Sequence, residues 1–195
     1  MIKTLFLCRH GCTSANEKNL WEGACGNSLL TMTGITQAKN MGIALKDIKF
    51  DIFYCSTQAR SFQTALYATQ QLEYDIPVVK MKNLSELNFG MAESKTTAWI
   101  NDRFEGKADQ FFNATRDTWN LAFPGFRSES KRDGFIRIHS ALLEICFNAG
   151  VKIGVVTHAG LLNSLAIGLQ LEFDYRNCAI NKLYFDTETL HFFVD

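Results

Sequence analysis

The sequence TLFLCRHGCTSANEKN, at residues 4–19, decides the fold of this 195-residue chain. Its apolar run at residues 5–8 is typical of a strand buried on both faces of a parallel sheet. The run ends abruptly at Arg9 and His10, which therefore lie at the carboxyl end of the predicted strand. Ligands bind at the carboxyl ends of the strands in open α/β sheets, so this ending indicates a functional site.

Strand and helix patterns alternate along the rest of the chain. This alternation predicts a three-layer α/β sandwich, with a mostly parallel central sheet and helices on both faces. Thr33 is the predicted N-cap of the first long helix. The predicted strands cover residues 2–8, 50–56, 76–81 and 151–157, with a hairpin at 180–195, and the predicted helices cover residues 33–46, 57–72, 128–150 and 161–171.

Residues 88–128 break this alternation, because aromatic and charged side chains are interleaved there. We interpret the segment as a small helical lid over one end of the sheet, so that residues 1–195 form a single domain. The aromatic side chains are predicted to form the core of the lid in preference to a substrate-binding wall. They are Trp99, Phe104, Phe111, Phe112 and Trp119.

The composition excludes several classes of partner. Twenty basic residues balance twenty acidic ones, which leaves no overall field to attract nucleic acid or a membrane surface. No apolar window approaches a membrane span, and no signal peptide is apparent. The six cysteines form no metal-binding pattern. We therefore expect a cytoplasmic protein with no cofactor, no metal, no nucleic-acid partner and no membrane partner; its oligomeric state stays open.

Polar side chains follow three of the predicted strands. Arg9 and His10 come after the first strand, Arg60 after the second, and His158 after the strand at residues 151–157. A parallel sheet would bring these ends together. Since an arginine guanidinium matches the oxygens of a phosphate, the sequence predicts a phosphate pocket at this edge.

The histidines suggest covalent chemistry, because a neutral imidazole can attack phosphorus. The leaving alkoxide then needs a proton, which Glu86 or Glu93 would supply. Two other phosphate chemistries fit less well. A cysteine phosphatase needs five residues between its cysteine and arginine, but only four separate Cys55 from Arg60, and the chain has no Gly-x4-Gly-Lys-Ser/Thr loop.

Taken together, these motifs resemble the histidine phosphatase superfamily, in its branch related to cofactor-dependent phosphoglycerate mutase. The resemblance covers about residues 2–170, with the motifs in the family's order. The matching segments are RHGCT (9–13) with Asn16, GNSLLTMTGITQA (26–38), CSTQARSFQTA (55–65), ELNFGMAE (86–93) and VTHAG (156–160).

The resemblance implies a histidine acid-type phosphatase that works through a phosphohistidine on His10. Glu86 would be the proton donor to the leaving group and then the base for water. The other residues carried over complete the phosphate pocket or bind substrate. They are Arg9, Arg60 and His158 for the phosphate, and Asn16, Thr13 and Ala159 for the substrate.

Three functions remain open at this point. About 40 residues separate Glu86 from Ser128, which is short for the insertion that mutases of this family carry, so hydrolysis of a small phosphorylated metabolite is favoured. A phosphoglycerate mutase and a non-catalytic phospholigand-binding protein are the alternatives. The segment PGFRSES (124–130), Asn27 and Ser94 depart from the family pattern, and they affect the substrate more than the chemistry. Cys12, two residues from His10, is a candidate for sensitivity to oxidation.

Overall fold

A computed structural model describes residues 1–194, in which six strands form one mixed sheet. The strands are β1 (Ile2–Arg9), β2 (Ile52–Cys55), β3 (Val78–Lys80), β4 (Lys152–Thr157), β5 (Ile180–Asp186) and β6 (His191–Phe193). Their order across the sheet is β3-β2-β4-β1-β5-β6. The first four strands run parallel, whereas β5 and β6 form an antiparallel hairpin that pairs with β1. The predicted mostly parallel α/β sheet is confirmed.

Helices cover both faces of the sheet. They are α1 (Ser14–Glu17), α2 (Met32–Leu45), α3 (Ala59–Thr69), α4 (Thr97–Arg103), α5 (Lys107–Phe112), α6 (Lys131–Asn148) and α7 (Ala159–Leu169), with short 3-10 turns at Lys82–Leu84 and Gly90–Ala92. Because successive strand residues point to opposite faces, Leu5 and Leu7 belong to the apolar cluster with α6 and α7. Phe6 and Cys8 belong to the cluster with α2 and α3. Strand β1 therefore contributes side chains to both apolar clusters, one on each face of the sheet.

The first long helix begins earlier than predicted. Thr31, not Thr33, is the N-cap of α2, because its hydroxyl accepts a hydrogen bond from the backbone N–H of Gly34 at 3.2 Å. Thr33 is an exposed residue inside the first turn. The two threonines are equally good capping residues, so their spacing alone did not distinguish them.

Gly134 lies inside α6, where a glycine weakens a helix by about 1 kcal/mol relative to alanine. A Cβ at this position would lie 2.4 Å from Leu87 Cδ2 and 2.8 Å from Ser164 Oγ. The glycine thus allows α6 to pass close to α7 and to the segment that carries Glu86.

The segment predicted as a lid contains α4, α5 and the turn Gly90–Ala92. Two of its buried aromatics, Phe111 and Phe123, pack against Trp21, with ring centroids 5.7 and 5.6 Å from that indole. Trp21 lies outside the segment, so the core of the segment is shared with the loop that follows α1. No helix within residues 1–194 combines the length and apolar character that crossing a bilayer requires.

Candidate active site

The strand order brings the predicted site residues together. Strand β4 lies between β2 and β1, so the ends of these three strands are neighbours. The backbone N–H of His10 donates to the carbonyl of Thr157 at 3.0 Å, and the rings of His10 and His158 have centroids 5.0 Å apart. His10 and His158 are far apart in sequence, but they lie next to each other at this edge of the sheet.

His10 is held in a single tautomer. Its ring is 4% exposed, and Nδ1 lies 2.8 Å from the carbonyl oxygen of Gly11, which can only accept a hydrogen bond. Nδ1 therefore carries the proton, and Nε2 keeps its lone pair. Burial first, and then the charges of Arg60 and Arg9, hold the pKa of His10 well below its usual range. The imidazole is neutral at pH 7, as a nucleophile must be.

The lowered pKa predicts how His10 titrates. A group with a lowered pKa stays neutral as the pH falls through its ordinary value of 6.5, and it gains its proton only at a lower pH. A ¹⁵N NMR titration in phosphate-free buffer should therefore show His10 neutral at about pH 6. The charge of Arg60 is the second-largest cause of this lowered pKa, so replacing Arg60 with glutamine should raise the pKa of His10. Protonation of His10 near pH 6.5 in the wild type, unchanged in Arg60→Gln, would contradict this electrostatic account.

Three buried donors around His10 have no hydrogen-bond partner. They are Arg9 Nε, Arg60 Nε and His158 Nδ1, and Asn163 Oδ1 is the only other such side-chain atom within residues 1–194. Buried donors are nearly always satisfied, because an unpaired one keeps its full desolvation penalty. The charges of Arg9 and Arg60 act on His10, and the His158 ring lies 5.0 Å from it, so an anion beside His10 would have unpaired donors nearby. Arg60 and His158 are not among the residues that line the cavity.

His158 owes its tautomer to Ser56. The hydroxyl of Ser56 accepts a hydrogen bond from the backbone N–H of Gln58 at 3.3 Å and lies 2.7 Å from His158 Nε2. A hydroxyl can donate to an imidazole nitrogen or accept from it; where Ser56 donates to Nε2, the ring proton of the neutral imidazole lies on Nδ1. Burial and the nearby charge of Arg60 lower the pKa of His158 well below its usual range. His158 can therefore donate a hydrogen bond without carrying a charge.

Arg60 is fully buried, but most of its donors are already used. Its terminal nitrogens donate to the carbonyls of Gly26 at 2.8 Å and Glu22 at 3.1 Å, and Nη1 lies 3.4 Å from the Glu22 carboxylate. The sequence predicted Arg60 as part of the phosphate pocket. In the structure it clamps the loop at residues 22–26, and it offers the site its positive charge and Nε.

The segment after α7 supports the site from the other side, which the sequence did not indicate. The carbonyl of Tyr175 accepts from Arg9 Nη1 at 2.7 Å. The amide nitrogen of Asn177 donates to the carbonyl of His10 at 2.9 Å and to Asn16 Oδ1 at 3.3 Å. These contacts fix the backbone that carries Arg9 and His10. The segment has no recognisable motif, so only the three-dimensional structure reveals its role.

Thr13 and Asn16 differ in their access to the site. Thr13 is fully buried; its hydroxyl caps α1 by accepting from the N–H of Asn16 and donates to Glu22 at 3.2 Å. It holds the loop and is not among the residues that line the cavity, so its role in substrate binding stays a prediction. Asn16 lines the cavity, as does Ala159 at the start of α7.

Of the two candidate proton donors, Glu86 lines the cavity. Its carboxylate accepts from the backbone N–H of Leu87 at 2.8 Å and of Gly160 at 2.9 Å. A Cβ at residue 160 would lie 2.6 Å from Glu86 Oε1, so this close approach requires the glycine. Glu93 instead accepts from the N–H groups of Gly23 and Phe89 and holds two loops together.

The cavity has a volume of about 140 Å³, with a polar floor and aromatic walls. Its lining residues are Arg9, His10, Asn16, Leu20, Trp21, Glu22, Glu86, Phe89, Phe111, Phe112, Lys131, Ala159 and Gly160. Two of the predicted lid-core aromatics, Phe111 and Phe112, also form part of this wall. Lys131 and Glu22 belong to the cavity although the sequence pattern singled out neither.

Comparisons with known proteins agree with this arrangement. The adenosylcobalamin/alpha-ribazole phosphatase of Escherichia coli (strain K12) is 32% identical over 165 residues, which are 83% of this chain and 76% of that protein. The 2,3-bisphosphoglycerate-dependent phosphoglycerate mutase of Cytophaga hutchinsonii is 28% identical over 167 residues, or 85% of this chain and 76% of the mutase. The crystal structure of phosphoglycerate mutase from Bacillus anthracis str. Sterne has the same fold, with a TM-score of 0.85 and 23% identity, over 100% of this chain and 92% of that one.

These relatives include a phosphatase and mutases, so they support an enzyme of phosphoryl chemistry. The family model described as histidine phosphatase superfamily (branch 1) matches residues 5–192. That match covers nearly the whole chain, from the centre of β1 to the middle of β6. The chain belongs to the histidine phosphatase superfamily.

Proposed function

We propose that the protein is a phosphomonoester hydrolase that acts through a phosphohistidine on His10. The observation that carries the proposal is the neutral imidazole of His10, with its Nε2 lone pair available, close to three buried residues with unpaired ring or guanidinium nitrogens. A phosphoryl group at this position would accept hydrogen bonds from Arg9, Arg60 and His158. Two of these donors are cations, which stabilise the negative charge that spreads over the oxygens during transfer.

The proposed reaction has two steps. His10 Nε2 forms a bond to phosphorus while the bond from phosphorus to the ester oxygen breaks, and Glu86 gives its proton to the leaving alkoxide. Glu86 then takes a proton from water, whose oxygen attacks the phosphohistidine and releases inorganic phosphate. Both protons pass through the same carboxyl group, which ends the cycle in the state in which it began. No step calls for a metal or another cofactor.

The proposed setting is a cytoplasmic, single-domain protein. All six cysteines are unpaired, and three of them are buried, which is consistent with a reducing compartment. The segment at residues 88–128 shares its aromatic core with Trp21 and with the strands of the central sheet. A segment that shares its core in this way supports one domain better than two.

A phosphoglycerate mutase is the second candidate, because a curated mutase is 28% identical over 85% of the chain. A mutase would use the same phosphohistidine but would return the phosphoryl group to its substrate instead of to water. A non-catalytic phospholigand-binding protein is less well supported, since the proposed nucleophile, anion donors and proton donor are all present.

Phosphate release separates these candidates. The protein is incubated in EDTA with p-nitrophenyl phosphate, glycerol 3-phosphate and 3-phosphoglycerate, and inorganic phosphate is measured. We expect release from at least one ester, because water can attack the phosphohistidine. Conversion of 3-phosphoglycerate to its 2-isomer with little inorganic phosphate would identify a mutase, and no reaction with any ester would contradict the hydrolase proposal.

A further inference from the structure

Lys131, the first residue of α6, occupies an unusual position for a lysine. Its side chain is 2% exposed, although lysine is almost never fully buried without a partner. It also lies at a helix N-terminus, where the macrodipole disfavours a positive charge. Two general preferences are therefore violated at one residue, which calls for a specific explanation.

The ammonium group of Lys131 has no charged or hydrogen-bonded partner in the part of the chain described by the structure. It lies 4.4 Å from the centroid of the Phe111 ring, and this cation–π contact is its stabilising interaction. The charge of Glu86 acts on it, but the two groups do not form an ion pair within 4 Å. Lys131 thus keeps hydrogen-bond donors for another group.

Helix structure does not explain this lysine. Ser130 and Asp133 cap α6 reciprocally: the hydroxyl of Ser130 accepts from the N–H of Asp133, and the Asp133 carboxylate accepts from the N–H of Ser130. Neither hydrogen bond involves Lys131. An apolar residue such as methionine would fill the same space without burying a charge, so packing alone does not account for a lysine.

Lys131 lines the same cavity as His10 and Glu86. The cavity has aromatic walls that include Phe89, Phe111 and Trp21, and the Phe111 ring faces the ammonium group. A small anion entering this space beyond the arginine at its floor would meet the Lys131 ammonium, and an ion pair is stronger in a partly desolvated site than in water.

We propose that Lys131 binds a second anionic group, carried by the leaving group of the substrate, while the phosphoryl group lies at His10. The proposal rests on the proposed function, and it assigns the substrate to the class of small phosphomonoesters with an additional carboxylate or phosphate. The site would prefer anionic over neutral substrates because the ammonium group is desolvated. A neutral leaving group keeps it unpaired, whereas an anionic leaving group pairs with it.

The titration of Lys131 is consistent with this role. Burial lowers the pKa of Lys131 to about 8, and the charge of Glu86 partly opposes that shift. The other titratable groups that line the cavity are Arg9, His10 and Glu22. Lys131 is therefore mostly protonated at pH 7 and loses its charge above about pH 8. Affinity for an anionic substrate should fall over that range, while affinity for a neutral ester should change less.

The test compares two ligands that differ in one group. 3-Phosphoglycerate carries a carboxylate where glycerol 3-phosphate carries a hydroxymethyl group. Binding is measured by calorimetry at pH 7 in a His10→Ala background, so the result does not depend on turnover. We expect Lys131→Met to weaken binding of 3-phosphoglycerate by about 10- to 100-fold, as for a hydrogen bond to a charged group, and to change glycerol 3-phosphate by less than about threefold.

Three controls make the outcome specific. Arg132→Met removes the exposed neighbouring cation and should leave both affinities unchanged. Lys131→Arg keeps the charge and should retain part of the preference. A second pair of ligands, propane-1,3-diol bisphosphate and propane-1,3-diol monophosphate, replaces the carboxylate with a phosphate. If Lys131→Met reduces the affinity difference within this pair more than it does for 3-phosphoglycerate and glycerol 3-phosphate, a second phosphate is the preferred group. Equal losses for anionic and neutral ligands, or no loss at all, would overturn the proposal, whether or not the protein proves to be a hydrolase.

Discussion

Replacing His10 with alanine is expected to reduce kcat/KM for every phosphomonoester by about 10⁴-fold or more, as for the removal of other enzymatic nucleophiles. The physical reason is that no other group in the cavity offers an equivalent lone pair. The Nε2 of His158 lies 2.7 Å from the Ser56 hydroxyl, and His158 is not among the residues that line the cavity. The donors around the site would still bind the phosphoryl group, so KM should change much less than kcat.

His139→Ala is the matched control for this variant. His139 lies on α6 against Phe135 and Phe192, with ring centroids 5.2 and 5.5 Å away, and it takes no part in the cavity. Its removal should leave kcat/KM within about threefold of the wild type. Activity in His10→Ala within tenfold of wild type, with thermal unfolding unchanged, would show that the reaction does not use His10.

Replacing Glu86 with glutamine is expected to reduce kcat for alkyl phosphates by about 10²- to 10⁴-fold, the usual contribution of a general acid. Glutamine keeps the size of the side chain and one acceptor for the N–H groups of Leu87 and Gly160. It does not supply a proton to the leaving alkoxide. The loss should be smaller for p-nitrophenyl phosphate, whose leaving group needs little protonation.

Glu93→Gln tests whether this effect belongs to Glu86. Burial raises the pKa of Glu93, and its oxygens accept from the N–H groups of Gly23 and Phe89 at a distance from the proposed reaction. We expect this variant to lower stability and to affect alkyl and aryl esters equally. The kcat values of Glu86→Gln and Glu93→Gln are measured on alkyl and aryl phosphates. If Glu86→Gln loses the same factor in kcat on both types of ester, Glu86 is not the proton donor.

The fold and the family were predictable because their signals are local or periodic. Alternating strand and helix patterns predicted the sheet, and the strand order then brought Arg9, His10 and His158 to one edge. The capping error at α2 arose because Thr31 and Thr33 are chemically equivalent in sequence. The capping role of Thr13 was not predictable for a similar reason, because a capping residue and a ligand-binding residue have the same hydroxyl.

Other features of the site depend on packing between distant segments, which spacing does not encode. Glu22 becomes a partner of Arg60 only when the loop at residues 22–26 folds over α3. Asn177 reaches His10 from a segment without a motif. Lys131 resembles any polar residue at a helix start until its burial is known. The roles of these residues, and those of the predicted site residues, remain predictions for experiment.

The most direct test of the account is to trap the phosphorylated enzyme. The protein is mixed with a reactive phosphomonoester, quenched in base within milliseconds, and analysed by mass spectrometry and ³¹P NMR. The account predicts one phosphoryl group on His10, bonded to Nε2, which is transferred to water when the enzyme is left without substrate. A phosphoryl group on another residue, attachment through Nδ1, or hydrolysis with inversion at phosphorus would contradict the phosphohistidine mechanism.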